Sequence, residues 1–188
     1  MSGKLRVEPV TEVEAQQIAE EYGLNPTFAS LSVFRVLLRT PQLAKSVAGL
    51  LETLLRGEHL DGTLRELVIM RIGWVTGSCY EWTQHWRVAR MMKIPEETLL
   101  GVRDWQSHAA YGAAERAVLA ATDETIEAGT ISPETWQACR DCLGSDEALI
   151  ELVTAIGNWR LFSSLLQSLE IPLEEGVEAW PPDGREPE

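Results

Sequence analysis

Apolar residues recur along this chain every three or four positions, the repeat of a helix with one buried face. Residues 10–22 are polar and Glu-rich, with Thr11 placed as a cap and Gly23 as a stop. "NPTFASLSVFRVLLRTP" sets Phe28, Leu31, Phe34, Leu37 and Leu38 at helical spacing up to Pro41. "PQLAKSVAGLLETLLRG" repeats the pattern with a stripe through Leu43, Val47, Leu50, Leu51, Leu54 and Leu55, and Gly57 ends it. "DGTLRELVIMRIGWVTG" predicts a helix from Thr63 that is apolar almost all round, so it belongs at the centre, with a break at Gly77 or Ser78. "YEWTQHWRVARMMKI" predicts the next, with its basic residues late, where they suit the helix dipole.

Pro95 opens a short helix to about Val102, and "RDWQSHAAYG" reads as a loop. Three more helices follow in "AERAVLAATDETIEAG", in "SPETWQACRDCLG" with Ser132 as cap, and in "SDEALIELVTAIGNWRLFSSLLQSLEI". No segment alternates with period two for long enough to predict a strand. The expectation is an all-α fold of about eight or nine helices. It forms one domain over residues 1–180, with a polar, Pro-rich tail at 181–188 that does not fold. "ELVIMRIGW" from Glu66 is faintly echoed by "ELVTAIGNW" from Glu151, one position out of register.

Composition narrows the function classes. Twenty-nine acidic against 16 basic residues give a net charge of −13, which argues against nucleic acid and anionic membrane as partners. No apolar run reaches about 18 residues and the start has no signal-peptide core, so a cytoplasmic protein without a membrane span is expected. Three cysteines, an odd count, do not make a disulfide framework.

The densest chemistry lies in "GSCYEWTQH". At about 100° per residue, Ser78, Glu81 and His85 share one helix face, while Cys79 is turned roughly 120° from His85. Glu81, one turn before His85, is its natural partner and can raise the imidazole pKa and fix its tautomer. The same spacing also describes an ordinary ion pair on a helix surface. Trp82 and Trp86 suggest a low-dielectric setting, although two Trp at that spacing also suit a core. Glu66 ends "TLRE", which fits a capping box started by Thr63.

Cys139-Arg140-Asp141-Cys142 is a C-x-x-C, but it sits late in its helix with no strand before it, which favours small buried hydrophobes over a redox pair. His59 and His108 read as solvated turn or loop histidines, with His108 able to reach a site as a lid residue. No histidine pair has metal-ligand spacing, so no metal or other cofactor is expected.

"RELVIMRIGWVTGSCYEWTQHWRVARMMKIPEE" resembles the core motif of the carboxymuconolactone decarboxylase / alkylhydroperoxidase D superfamily, most clearly over residues 43–102. The resemblance implies an all-helical, oligomeric fold, a trimer or hexamer. The peroxidase branch carries a Glu and then C-x-x-C-x-x-x-H. Aligned on His85, that pattern puts Ser78 and Glu81 at the two cysteine positions and Glu66 at the upstream Glu. The decarboxylase-like branch fits better, with Glu in place of the second cysteine.

The implied activity is cofactor-free acid–base chemistry, a decarboxylation or related lyase or isomerase step on a small carboxylated lactone or aromatic-degradation intermediate. His85 would protonate or hold the dienolate, Glu81 tune it, Glu66 relay, and Ser78 donate a hydrogen bond. Two alternatives stand beside it. One is a peroxiredoxin-type thiol activity using Cys79 or Cys139 with Cys142; the other is a helical assembly protein without turnover.

Overall fold

In the computed structural model, which describes residues 5–188, local capping chemistry sets most helix ends. Helix α1 (Glu12–Tyr22) opens on a capping box between Thr11 and Glu14 and closes on Gly23 at φ 69°, the left-handed conformation glycine accepts most readily. Helix α4 (Pro41–Leu55) starts with proline in its first turn, and α9 (Pro133–Leu143) does the same behind Ser132, whose Oγ accepts from the Thr135 amide. The remaining helices are α2 (Pro26–Ala29), α3 (Ser32–Leu37), α5 (Gly62–Thr76), α6 (Cys79–Met91), α7 (Glu96–Leu100), α8 (Ala113–Ala128) and α10 (Asp146–Ser168). A 3-10 turn at Gly101–Asp104 follows α7. Among the described residues there is no strand, as the periodicity requires.

The count exceeds the expected one because "NPTFASLSVFRVLLRTP" divides. Leu31 is extended (φ −85°, ψ 133°), and the Ser32 amide that starts α3 donates to the distant Glu174 carboxylate at 2.9 Å. A cap from 142 residues away is invisible to local pattern.

Where the sequence reading has one domain over 1–180, the chain groups into two compact units. One comprises residues up to Arg56 with Ser164–Val177, the other Gly57–Ser163 with Glu178–Glu188. In the first, α1 packs on α2 and α4, and α3 on α4. In the second, α5 is central and is covered by α6, α8 and the 3-10 turn, with α9 on α8.

Leu67, Val68, Ile69, Met70 and Ile72 of α5 are all at 0% exposure, so the helix is surrounded as its all-round apolarity predicts. Burial of each such side chain contributes about 1.5–3 kcal/mol. Gly73 lets α6 approach closely, since a Cβ there would stand 2.9 Å from the Trp82 backbone nitrogen.

One expectation is corrected. The tail at 181–188 is held, not free. Trp180 is buried against Trp74 and Trp82, the Trp82 indole donates to the Pro181 carbonyl at 2.8 Å, and Asp183 takes both forks of the Arg103 guanidinium at 2.7 and 2.9 Å. One aromatic anchor and one bidentate ion pair overcome a composition that suggested disorder.

Helix α10 packs as a core helix despite its apolarity. It is long and apolar enough by length and composition to cross a membrane, but half of the qualifying window is buried within the fold. Leu149, Leu152, Ile156 and Trp159 on one of its faces are core residues. The reading of the chain start as free of a leader falls partly on residues 1–4, outside the described residues.

Candidate active site

The joint between α5 and α6 builds the site. Asp61, not Thr63, caps α5, with its Oδ1 accepting from the Thr63 and Leu64 amides at 2.8 and 3.1 Å. Glu66 is therefore released from any capping box. It stands one turn further along at 0% exposure, and its Oε2 lies 2.8 Å from His85 Nδ1. Its other oxygen, Oε1, accepts from Nε and Nη2 of Arg65, each at 3.3 Å. The Glu66 carboxylate thus bridges a buried guanidinium and the imidazole, which compensates a charge that would be costly to bury alone.

Glu81 occupies the second position around the ring. Its Oε2 is 3.7 Å from Nε2 of His85, beyond a hydrogen bond. The expected primary partner is thus corrected: Glu66 holds the imidazole and Glu81 faces its other nitrogen. The i+4 spacing found Glu81 correctly but could not see that a facing helix comes closer. Burial, opposed by His85 and reinforced by the Glu66 charge, pushes the Glu81 carboxyl up to about 7. For His85, burial favours the neutral ring, but the Glu66 carboxylate, its hydrogen bond and Glu81 together outweigh it. Acting by themselves, these groups draw a proton toward the ring and shift the imidazole upward.

Trp159 of α10 completes the constellation. Its indole Nε1–H donates to His85 Nε2 at 3.0 Å, with the rings edge to face at 84°. Sequence reasoning missed both Trp159 and Arg65. The only trace of Trp159 was the echo "ELVTAIGNW", and Arg65 was quoted within R-E-L-V without a role.

Ser78 stands at the start of α6, 1% exposed, with an Oγ that has no hydrogen-bond partner. It is available to a ligand, but no contact ties it to His85. With one nitrogen of His85 on Glu66 and the other on Trp159, the ring has no lone pair free for a metal. Among the described residues no three His, Cys, Asp or Glu side chains are grouped to hold one.

The cysteines lie apart from this chemistry. Cys79 is half-buried with its thiol 3.8 Å from Thr83 Oγ1, as its turn away from His85 predicts. Cys139 is buried, donates to the Ala117 carbonyl at 3.4 Å, and is pushed up to about 11 chiefly by burial, while Cys142 is exposed. A thiol so placed is a poor nucleophile.

His108, expected to be solvated, is half-buried against Tyr111, with ring centroids 4.4 Å apart and Nε2 sheltered. His59 is exposed, as expected. An open cleft of about 640 Å³ runs beside His108 and Arg103, and a cavity of about 260 Å³ lies beside Arg35 and Glu174; neither is lined by Glu66, Glu81 or His85. The chemistry and these two hollows do not coincide. The buried polar cluster is the better guide to function, because uncompensated burial of such groups is expensive.

Comparison with known proteins places this arrangement. Residues 41–124 match the Carboxymuconolactone decarboxylase family, a span that contains Arg65, Glu66, Ser78, Glu81 and His85. A Cys-to-Ala variant of the debrominase Bmp8, solved in complex with 2,3,4-tribromopyrrole, is similar in fold at TM-score 0.76 and 17% identity, over 93% of this chain and 95% of that one.

An uncharacterized peroxidase-related protein from Ralstonia eutropha, described as an alkylhydroperoxidase AhpD core, is similar at TM-score 0.74 and 14% identity, over 92% and 94%. A protein of unknown function from Agrobacterium tumefaciens, linked by name to AhpD and antioxidant defence, is similar at TM-score 0.65 and 20% identity, over 72% and 94%. No curated protein shows a significant match. At these identities the solved structures speak for the fold, which is that of alkylhydroperoxidase D-like proteins, and the family match adds a likeness to the carboxymuconolactone decarboxylase family over the 41–124 span that carries the site.

Proposed function

We propose that this chain is a decarboxylase-like enzyme working by acid–base chemistry on a small carboxylated lactone or a related aromatic-degradation intermediate, as a cytoplasmic homo-oligomer. The observation that carries the reading is the buried Glu66–His85–Glu81 cluster, with Cys79 and Cys139 turned to other partners and Cys142 exposed elsewhere. In such a reaction the bond from ring carbon to carboxylate breaks and CO₂ departs. Its electron pair spreads into the lactone carbonyl as a dienolate, and a proton is then delivered to carbon.

The substrate supplies the electron sink. The protein must hold the developing negative charge and hold a proton ready near neutral pH. Glu81 has the proton affinity for that task, His85 the neighbouring position, and Ser78 an uncommitted hydroxyl.

The test is CO₂ release from γ-carboxymuconolactone by the wild type, by His85→Ala and by a variant with Cys79, Cys139 and Cys142 all changed to Ser. The expected result is turnover that falls about 10²–10⁴-fold in His85→Ala and survives loss of the cysteines. Peroxide reduction that disappears with the cysteines would instead establish the thiol activity.

A further inference from the structure

We propose that Trp159 is a positioning residue that fixes His85 as the Nδ1–H tautomer and so places the mobile proton of the site on Glu81. An indole N–H can only donate. Its 3.0 Å contact with Nε2 therefore requires that nitrogen to carry a lone pair. The ring proton then sits on Nδ1 and is donated to Glu66 Oε2 at 2.8 Å. The resting imidazole is neutral, with both nitrogens satisfied in a setting where the ring is 8% exposed and Trp159 1%.

The charged groups acting on His85 are Glu66 and Arg65 from α5 and Glu81 from its own helix, while α10 contributes the neutral indole. Two carboxylates against one guanidinium would by themselves draw a proton onto the ring. The Trp159 donor opposes them, because protonating Nε2 would set two N–H groups against each other. Glu81 Oε2, 3.7 Å from the same nitrogen, is the remaining holder of that proton.

Without the indole N–H, the Nε2 lone pair is buried and unsatisfied. The Glu81 proton then moves to Nε2. The Nε2–H bond forms as the Glu81 O–H bond breaks, which leaves an imidazolium between two carboxylates. Net charge is unchanged, but the acid that would deliver a proton to substrate is gone. This consequence for turnover rests on the proposed function, whereas the protonation state does not.

The experiment uses the full-length protein with ¹⁵N-labelled histidine, the His85 signals being identified by their loss in His85→Gln. At pH 7 the wild type is expected to show a protonated Nδ1 and a bare Nε2. Trp159→Phe keeps an aromatic ring and removes the donor; it is expected to protonate both nitrogens and raise the His85 pKa by at least one unit, about a tenfold change in the imidazolium ratio.

A wild-type ring protonated on Nε2 overturns the proposal, and this needs no variant to fold. So does a folded Trp159→Phe protein whose His85 titrates unchanged, the result of a purely structural role. Where the lactone is turned over, kcat of Trp159→Phe should fall at neutral pH and recover at lower pH, where Glu81 regains a proton. Absence of lactone turnover in the wild type would overturn the proposed activity and leave this assignment to the ring nitrogens.

Discussion

A carboxyl group 4% exposed and facing a second carboxylate binds its proton more tightly when folded than when unfolded, and Glu81 is in that position. The sign follows from proton linkage. Between its ordinary value of 4.5 and about 7 the native state holds the extra proton, so stability falls as pH rises through that window and is flat above it. Glu81→Gln, which cannot ionise, should therefore match the wild type near pH 4. At pH 8 it should be more stable by up to about 3 kcal/mol, as read by urea denaturation at both pH values.

Glu66→Gln should do the opposite. It removes the charge shared by Arg65 and His85, lowers the His85 pKa and costs about 3 kcal/mol. The pairing of Glu81 with His85 was legible in the sequence because both lie on one helix at i and i+4. Glu66 was placed in the site only through the family resemblance, and Arg65 and Trp159 were given no role, because their relation to His85 is set by which faces of α5 and α10 meet α6.

At the scale of elements, one glycine fixes the joint that makes the site. A Cβ on Gly73 would meet backbone, the Trp82 nitrogen at 2.9 Å and its Cα at 3.3 Å, which rotamer change cannot relieve. Gly73→Ala should push α6 off α5 and lengthen the Glu66–His85 contact. The expected cost is about 1–3 kcal/mol by thermal unfolding, with a loss of turnover larger than the stability change implies. In the sequence Gly73 was one more position in a helix apolar all round.

The tail was misread for a related reason. Trp180 lies in a Pro-rich segment, and nothing local reveals that Trp74 and Trp82 receive it. Trp180→Ala should cost about 3 kcal/mol, the low end for a buried Trp. Helices α1, α4 and α9 came directly from the sequence because their caps are local, whereas the division between α2 and α3 depends on Glu174 and did not.

At the scale of the whole molecule, α10 has a second apolar face that none of the described residues covers. Ile150, Val153 and Leu161 are 65%, 43% and 51% exposed, and they share a face with Gly157, above which there is open space. An apolar stripe left in water on a chain of net charge −13 is poorly explained by a monomer, since that charge by itself favours separation. The proposed homo-oligomer would bury it, with the small side of Gly157 allowing a partner helix to come close. The wild type should scatter light as three or six times its 20.9 kDa chain. Introducing two carboxylates with Ile150→Glu and Val153→Glu should shift that mass toward one chain. Because both side chains already face solvent, far-UV circular dichroism should keep its helical amplitude, which separates lost assembly from lost folding. A wild type that scatters as a single chain would refute the oligomer and leave the exposed stripe without a partner of its own kind.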